Sequence, residues 1–122
     1  MNTKHHVSKT IAKQLAEAGI VIGSEYAWVG FINNNGGEYF EVKHERDSYH
    51  PRYPAPIATE ILEWFPRGYD FGFELIKLGK GYGAICKDYR VMPYERIGFT
   101  KDDNAPNALA LLLIRLTKDG MI

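Results

Sequence analysis

Ala105-Pro-Asn-Ala-Leu-Ala-Leu-Leu-Leu-Ile-Arg-Leu116 is the one long, strongly apolar helical run in this chain of 122 residues, and its reading decides the rest. Leu109, Leu112, Leu113 and Leu116 recur at the i, i+3, i+4, i+7 spacing of one helix face. Leu111 and Ile114 widen that face, so the helix must be covered on more than one side. Thr100 or Asn104 supplies its N-cap, and Pro106 falls in the first turn, where a missing N–H costs nothing. Asp102 and Asp103 suit the positive end of the helix dipole, Arg115 and Lys118 the negative end, and Gly120 is the expected stop. The run is too short to span a bilayer.

Working outward, the chain has the length of one α+β domain with a modest core. Fifteen basic and fifteen acidic residues cancel, so no charge excess marks a nucleic-acid groove. The single Cys86 cannot make an internal disulfide, which favours a reducing, cytoplasmic setting. Met1 to His6 lacks the apolar stretch of a signal peptide.

Upstream of the long helix, Ser8 opens a first helix with Ile11, Leu15 and Ala18 on its apolar face, and Gly19 ends it. Glu25 to Ile32 and Glu38 to Lys43 read as a hairpin across the Asn33-Asn-Asn-Gly-Gly37 turn. A five-residue loop pairs Ile32 with Glu38, Gly30 with Phe40 and Trp28 with Val42. Trp28, Phe40 and Val42 then share one face; Ala27, Val29, Phe31 and Tyr39 share the other. His44 to Ala55 lacks periodicity, contains Pro51 and Pro54, and reads as a long loop. Pro56 to Phe65 is a short helix with Ile57, Ile61, Leu62 and Phe65 as its stripe.

Phe71 to Leu78 and Gly81 to Arg90 form a second hairpin around a two-residue Gly79-Lys80 turn of type II′. That register pairs Leu75 with Ala84 and Phe73 with Cys86. Val91 to Phe99 contains Pro93 and reads as a loop, with a short edge strand as the alternative, leading into the last helix. The expected order is α-β-β-α-β-β-α, as a four-stranded, mainly antiparallel sheet with the helices packed on one face.

Five features define this pattern: Ser8-Lys-x-x-Ala12-x-x-Leu15-x-x-Ala18-Gly19, an aromatic hairpin, Ala55-Pro56 opening a helix that ends Leu62-x-Trp64-Phe65-Pro66, a second hairpin that ends in Gly83-Ala84, and the closing Asn-Ala-Leu-Ala-Leu-Leu-Leu-Ile helix. The chain in this respect resembles a group of small uncharacterised proteins of phages and mobile elements of Bacteroidetes-type bacteria. The resemblance lies in the order of elements. It implies a cytoplasmic accessory protein and transfers no catalytic residue.

Four stretches carry candidate chemistry. His44, Glu45, Asp47, His50 and Arg52 concentrate imidazole, carboxylate and guanidinium groups in one loop. Their spacing fits no established metal site, and a solvated polar loop explains them without a ligand. Gly79-Lys-Gly-Tyr-Gly83 looks like a phosphate loop, but a strand rather than a helix follows it. Asp102-Asp103 is accounted for by the helix start. The helix-free sheet face is the most informative: Val29, Phe31, Tyr39, Ile85 and Tyr89 would stand on it, as an aromatic patch suited to a protein partner or a second copy of the chain. A non-enzymatic interaction module, without cofactor or metal, is therefore the leading expectation. A small-molecule or nucleotide site at the 44–55 loop is the alternative. A hydrolytic site would need His44, Glu45 or His50 to converge with Asp102 or Asp103.

Overall fold

Asn104, not Thr100, caps the last helix: its Oδ1 accepts from the Asn107 N–H at 2.9 Å. The computed structural model describes residues 5–44, 51–66 and 70–122, without the side chains of residues 51 and 52. The described elements are α1 (Lys9–Glu17), β1 (Tyr26–Ile32), β2 (Glu38–His44), β3 (Pro51–Pro54), α2 (Ala58–Trp64), β4 (Phe71–Lys77), β5 (Tyr82–Asp88), β6 (Glu95–Asp102) and α3 (Ala105–Lys118).

The class is α+β, but the single four-stranded sheet is not formed. The strands make two separate three-stranded antiparallel sheets, β2-β1-β3 and β4-β5-β6. Each hairpin recruits a third strand from a segment that reads as loop. β3 lies in the 44–55 stretch, and its prolines have no N–H to donate, which a sheet edge tolerates. β6 is the edge strand left open as an alternative in the 91–99 stretch; it begins two residues after Pro93 and is longer than expected, running to Asp102. The two sheets are also wired differently. β1, the first strand of its unit, is central in one; β5, the second, is central in the other.

Within the hairpins the pairing follows the expected register. Trp28 faces Val42 and Gly30 faces Phe40; Leu75 faces Ala84 and Phe73 faces Cys86. In the first turn Asn33 Oδ1 accepts from the N–H groups of Asn35 and Gly37, and Gly36 takes φ +81°. In the second turn the left-handed residue is Gly81, at φ +81°, rather than Gly79, so the turn is not type II′. A Cβ on Gly81 would lie 2.6 Å from the Asp102 carbonyl oxygen, so this turn presses directly on the end of β6.

α3 packs on β4, β5 and β6 and also touches α1 and α2. Leu109, Leu112, Leu113 and Leu116 are fully buried, as the wide stripe requires. Each such side chain contributes about 1.5–3 kcal/mol through its removal from water. Gly98 sits under α3, where a Cβ would come 2.9 Å from Leu112 Cδ1. α1 begins at Ser8, whose Oγ accepts from the Ile11 N–H, and ends at Gly19, with Ile20 N–H returning to the Leu15 carbonyl at 2.9 Å.

Residues 6–8 tie these layers together. His6 Nδ1 lies 2.8 Å from the Ala55 carbonyl, and the Val7 N–H donates to the Pro56 carbonyl. Trp28 Nε1 donates to the Val7 carbonyl, Asn104 Nδ2 to the His6 carbonyl, and the Ser8 N–H to Asn107 Oδ1. The first sheet, the approach to α2 and the start of α3 thus meet on one strap.

Candidate functional site

The expected aromatic face divides between the two sheets. Val29, Phe31 and Tyr39 belong to the first; Ile85 and Tyr89 go with the second. Val29 is 5 % exposed and Ile85 7 %, so neither offers surface to a partner. Phe31 and Tyr39 stack on each other with ring centroids 5.4 Å apart, and Tyr39 is half exposed. The opposite face of that hairpin looks toward α1: Lys9 Nζ stands 3.7 Å from the centroid of the Phe40 ring.

Of the candidate residues in the polar loop, only the two at its ends, 44 and 52, lie among the described residues. His44 ends β2, with Tyr26 against its ring and Glu25 Oε2 at 4.0 Å from Nε2. Arg52 falls in β3, while Glu45, Asp47 and His50 lie outside the described residues. Asp102 Oδ1 accepts from the Asn104 N–H and from Asn107 Nδ2, so this carboxylate is committed to the helix start. No group of three His, Cys, Asp or Glu side chains among the described residues is placed to hold a metal ion.

Two other places emerge. The first is the outer side of the second sheet, facing away from α3. Alternation puts Gly72, Glu74, Gly83, Ile85, Lys87 and Phe99 there, opposite Ala84, Cys86 and Gly98. Two glycines admit aromatic rings flat against the backbone. A Cβ on Gly72 would stand 2.5 Å from Tyr89 Cε2, and one on Gly83 2.9 Å from Phe99 Cε2. This paving accounts for the burial of Ile85 on a face that carries no helix.

At one end of that face the β5–β6 connection gathers exposed apolar side chains: Tyr89, Val91, Met92 and Tyr94, with Met92 94 % exposed. Tyr89 and Tyr94 have ring centroids 5.8 Å apart, and Lys87 Nζ lies 4.8 Å from the Tyr94 centroid. The connection is anchored by charge. Arg90 makes a two-point contact with Asp88, at 3.0 Å from Nε and 2.9 Å from Nη2, and its guanidinium lies over Phe71. The Arg90 side chain, then its backbone N–H, hold the Asp88 carboxyl below its usual range; Asp88 in turn raises Arg90. Lys87 is raised mainly by its 2.8 Å hydrogen bond to Glu74. Beneath the sheet, burial and then the charge of Asp88 push the Cys86 thiol up to about 11. It is a core group rather than a nucleophile.

The second place is a cleft of about 690 Å³ where the starts of α2 and α3 meet the end of the second sheet, lined by His5, Ile57, Thr59, Lys77, Tyr82 and Asp103 among others. Of these, Asp103 is named from the sequence as half of a helix-start pair, Tyr82 within the Gly79–Gly83 turn and Ile57 in a helix stripe, none of them as part of a cleft. Lys77 and Tyr82 meet by strand pairing, and His5 and Thr59 reach them from the N-terminal segment and from α2, which no local spacing announces.

Comparison of the chain with family models, with curated proteins and with solved structures finds no match. No helix among the described residues is long and apolar enough to cross a membrane.

Proposed function

We propose that this protein is a non-enzymatic interaction module that docks through the outer end of its second sheet, a second copy of the chain being the partner. The observation that carries this reading is the concentration of Tyr89, Val91, Met92 and Tyr94 on one connection, exposed and yet anchored by Asp88–Arg90. Exposed apolar residues scattered singly need no explanation, but a cluster beside rings and cations resembles the core of a protein interface. Tyr89 is the one member of the expected patch that keeps this role; Phe31 and Tyr39 form a separate, smaller surface on the other sheet. Lys87 and Arg90 have their carboxylate partners within the chain, so docking leaves no bare charge at the centre. A phage or mobile-element setting in the cytoplasm is part of this proposal and rests on the sequence resemblance and the lone thiol.

The test is solution mass by light scattering for the wild type and for Met92→Glu with Tyr94→Glu. The proposal expects a dimer that the double variant converts to a folded monomer. A monomeric wild type at high micromolar concentration, or a dimer indifferent to both charges, overturns it. Binding of single-stranded nucleic acid by the wild type, lost in the same variant, would replace the protein partner with a stacking surface.

A further inference from the structure

The cleft between α2, α3 and the second sheet has the dimensions of a small-molecule site, of which 300–1,000 Å³ is the usual range. The start of α3 contributes little to it as a donor. Asn107 N–H is taken by the Asn104 side chain, Pro106 has no N–H, and Asn104 N–H is taken by Asp102. Recognition in the cleft therefore falls to side chains.

Two of these are opposite charges. Among the described residues neither Lys77 nor Asp103 has an ion-pair partner, and they are not paired with each other. Their spacing follows from the sheet. Lys77 is opposite Tyr82, and Tyr82 is opposite Asp102, the residue before Asp103. Two strand spacings put the backbones of Lys77 and Asp102 on the order of 10 Å apart. The ring between them already accepts a cation: Lys77 Nζ is 4.4 Å from the Tyr82 centroid. Gly81, pressed against the Asp102 and Asp103 backbone, holds the hairpin turn and the β6 end at fixed separation. Ile57 and Pro106 give the wall an apolar part, and Thr59 a hydroxyl.

We propose that this cleft binds a short zwitterionic peptide, with its carboxylate on Lys77, its ammonium on Asp103 and an apolar side chain against Ile57, Pro106 and the Tyr82 ring. An extended dipeptide spans roughly 7 Å, which fits between side chains carried by strands whose backbones stand on the order of 10 Å apart. An inorganic anion would leave Asp103 as a repulsive neighbour, whereas a dipolar ligand satisfies both groups.

The experiment is amide chemical-shift titration with the dipeptide Ala-Phe, its N-acetylated form and its C-terminal amide. Expected are saturable shifts at Thr59, Tyr82 and Asp103 with the free dipeptide. Loss of either terminal charge, or Lys77→Met or Asp103→Asn in the protein, should weaken binding about tenfold, the worth of one charge-assisted hydrogen bond. Thermal melting of both variants checks that they fold. No saturation with Ala-Phe up to millimolar concentration overturns the proposal. So does equal binding of the blocked peptides, or binding of inorganic phosphate that Asp103→Asn strengthens.

Discussion

The Ser8 N–H donates to Asn107 Oδ1 at 2.8 Å, joining residues 99 positions apart at the junction of α1 and α3. Asn107 is 7 % exposed, and its Nδ2 donates to Asp102 Oδ1 at 3.2 Å. No buried side-chain nitrogen or oxygen among the described residues lacks a partner, so the junction has no slack. Asn107→Ala leaves the Ser8 amide unsatisfied and should cost about 1–3 kcal/mol in urea denaturation. Asn107→Asp keeps the acceptor for Ser8 but replaces the Nδ2 donor to Asp102 with a second carboxylate, so it too should destabilise in urea denaturation.

Gly98 and Gly72 both lie in strands of the second sheet, yet alanine should affect them differently. At Gly98 the added methyl meets Leu112 of the packed core at 2.9 Å, and overpacking of this kind costs about 1–3 kcal/mol. At Gly72 it meets the ring of Tyr89, which is 45 % exposed and can swing aside. Thermal denaturation should therefore rank Gly98→Ala well below Gly72→Ala. The second variant should instead change Tyr89 fluorescence and, through it, the association proposed above.

Cys86 is 1 % exposed, with its thiol raised from 9.0 to about 11. Because the thiolate is the reactive form, the native protein should resist a disulfide reagent such as DTNB at pH 8 and release one thiol equivalent once unfolded. The folded pKa lies above the unfolded one. Its stabilising contribution is thus complete below pH 9 and is lost as pH rises toward 11. Cys86→Ala should remove that alkaline decline.

Asp88 titrates in the opposite sense. Arg90 holds its folded pKa below the ordinary value of 3.8, so the contribution is present above that pH and is lost as pH falls through the folded pKa. Arg90→Leu should destabilise at neutral pH, and the gap to wild type should narrow in acid. The part that persists measures the contact of the guanidinium with the Phe71 ring, which does not depend on the carboxylate. Urea midpoints across pH 2–7 give both parts.

Local chemistry made much of this fold legible. Ser8, Gly19, Pro106 and the leucine spacing define α1 and α3, and turn length defines which residues face each other in both hairpins. What the chain does not write locally is which strands become neighbours. Pro51 and Pro54 argue against a strand by propensity, but the backbone between them still pairs with β1 at an edge. Pro93 marks the 91–99 stretch as a loop, yet β6 begins two residues later, and its Gly98 is the gap that receives Leu112. Two loops promoted to strands are enough to turn one sheet into two and to separate Phe31 and Tyr39 from Tyr89. The cleft was illegible for the same reason: Lys77, Tyr82 and Asp103 are neighbours only through the pairing of three strands.

The strap at residues 6–8 has a consequence for synthesis. As the chain leaves the ribosome, Ser8 emerges 99 residues before Asn107, and the surfaces that bury Val7 wait on both. α1 and the first hairpin can form early, but neither can dock in its final place until α3 is made. Docking of these elements is then committed by α3, and a translational pause before residue 105 would hold a nascent intermediate whose apolar faces are open to chaperones.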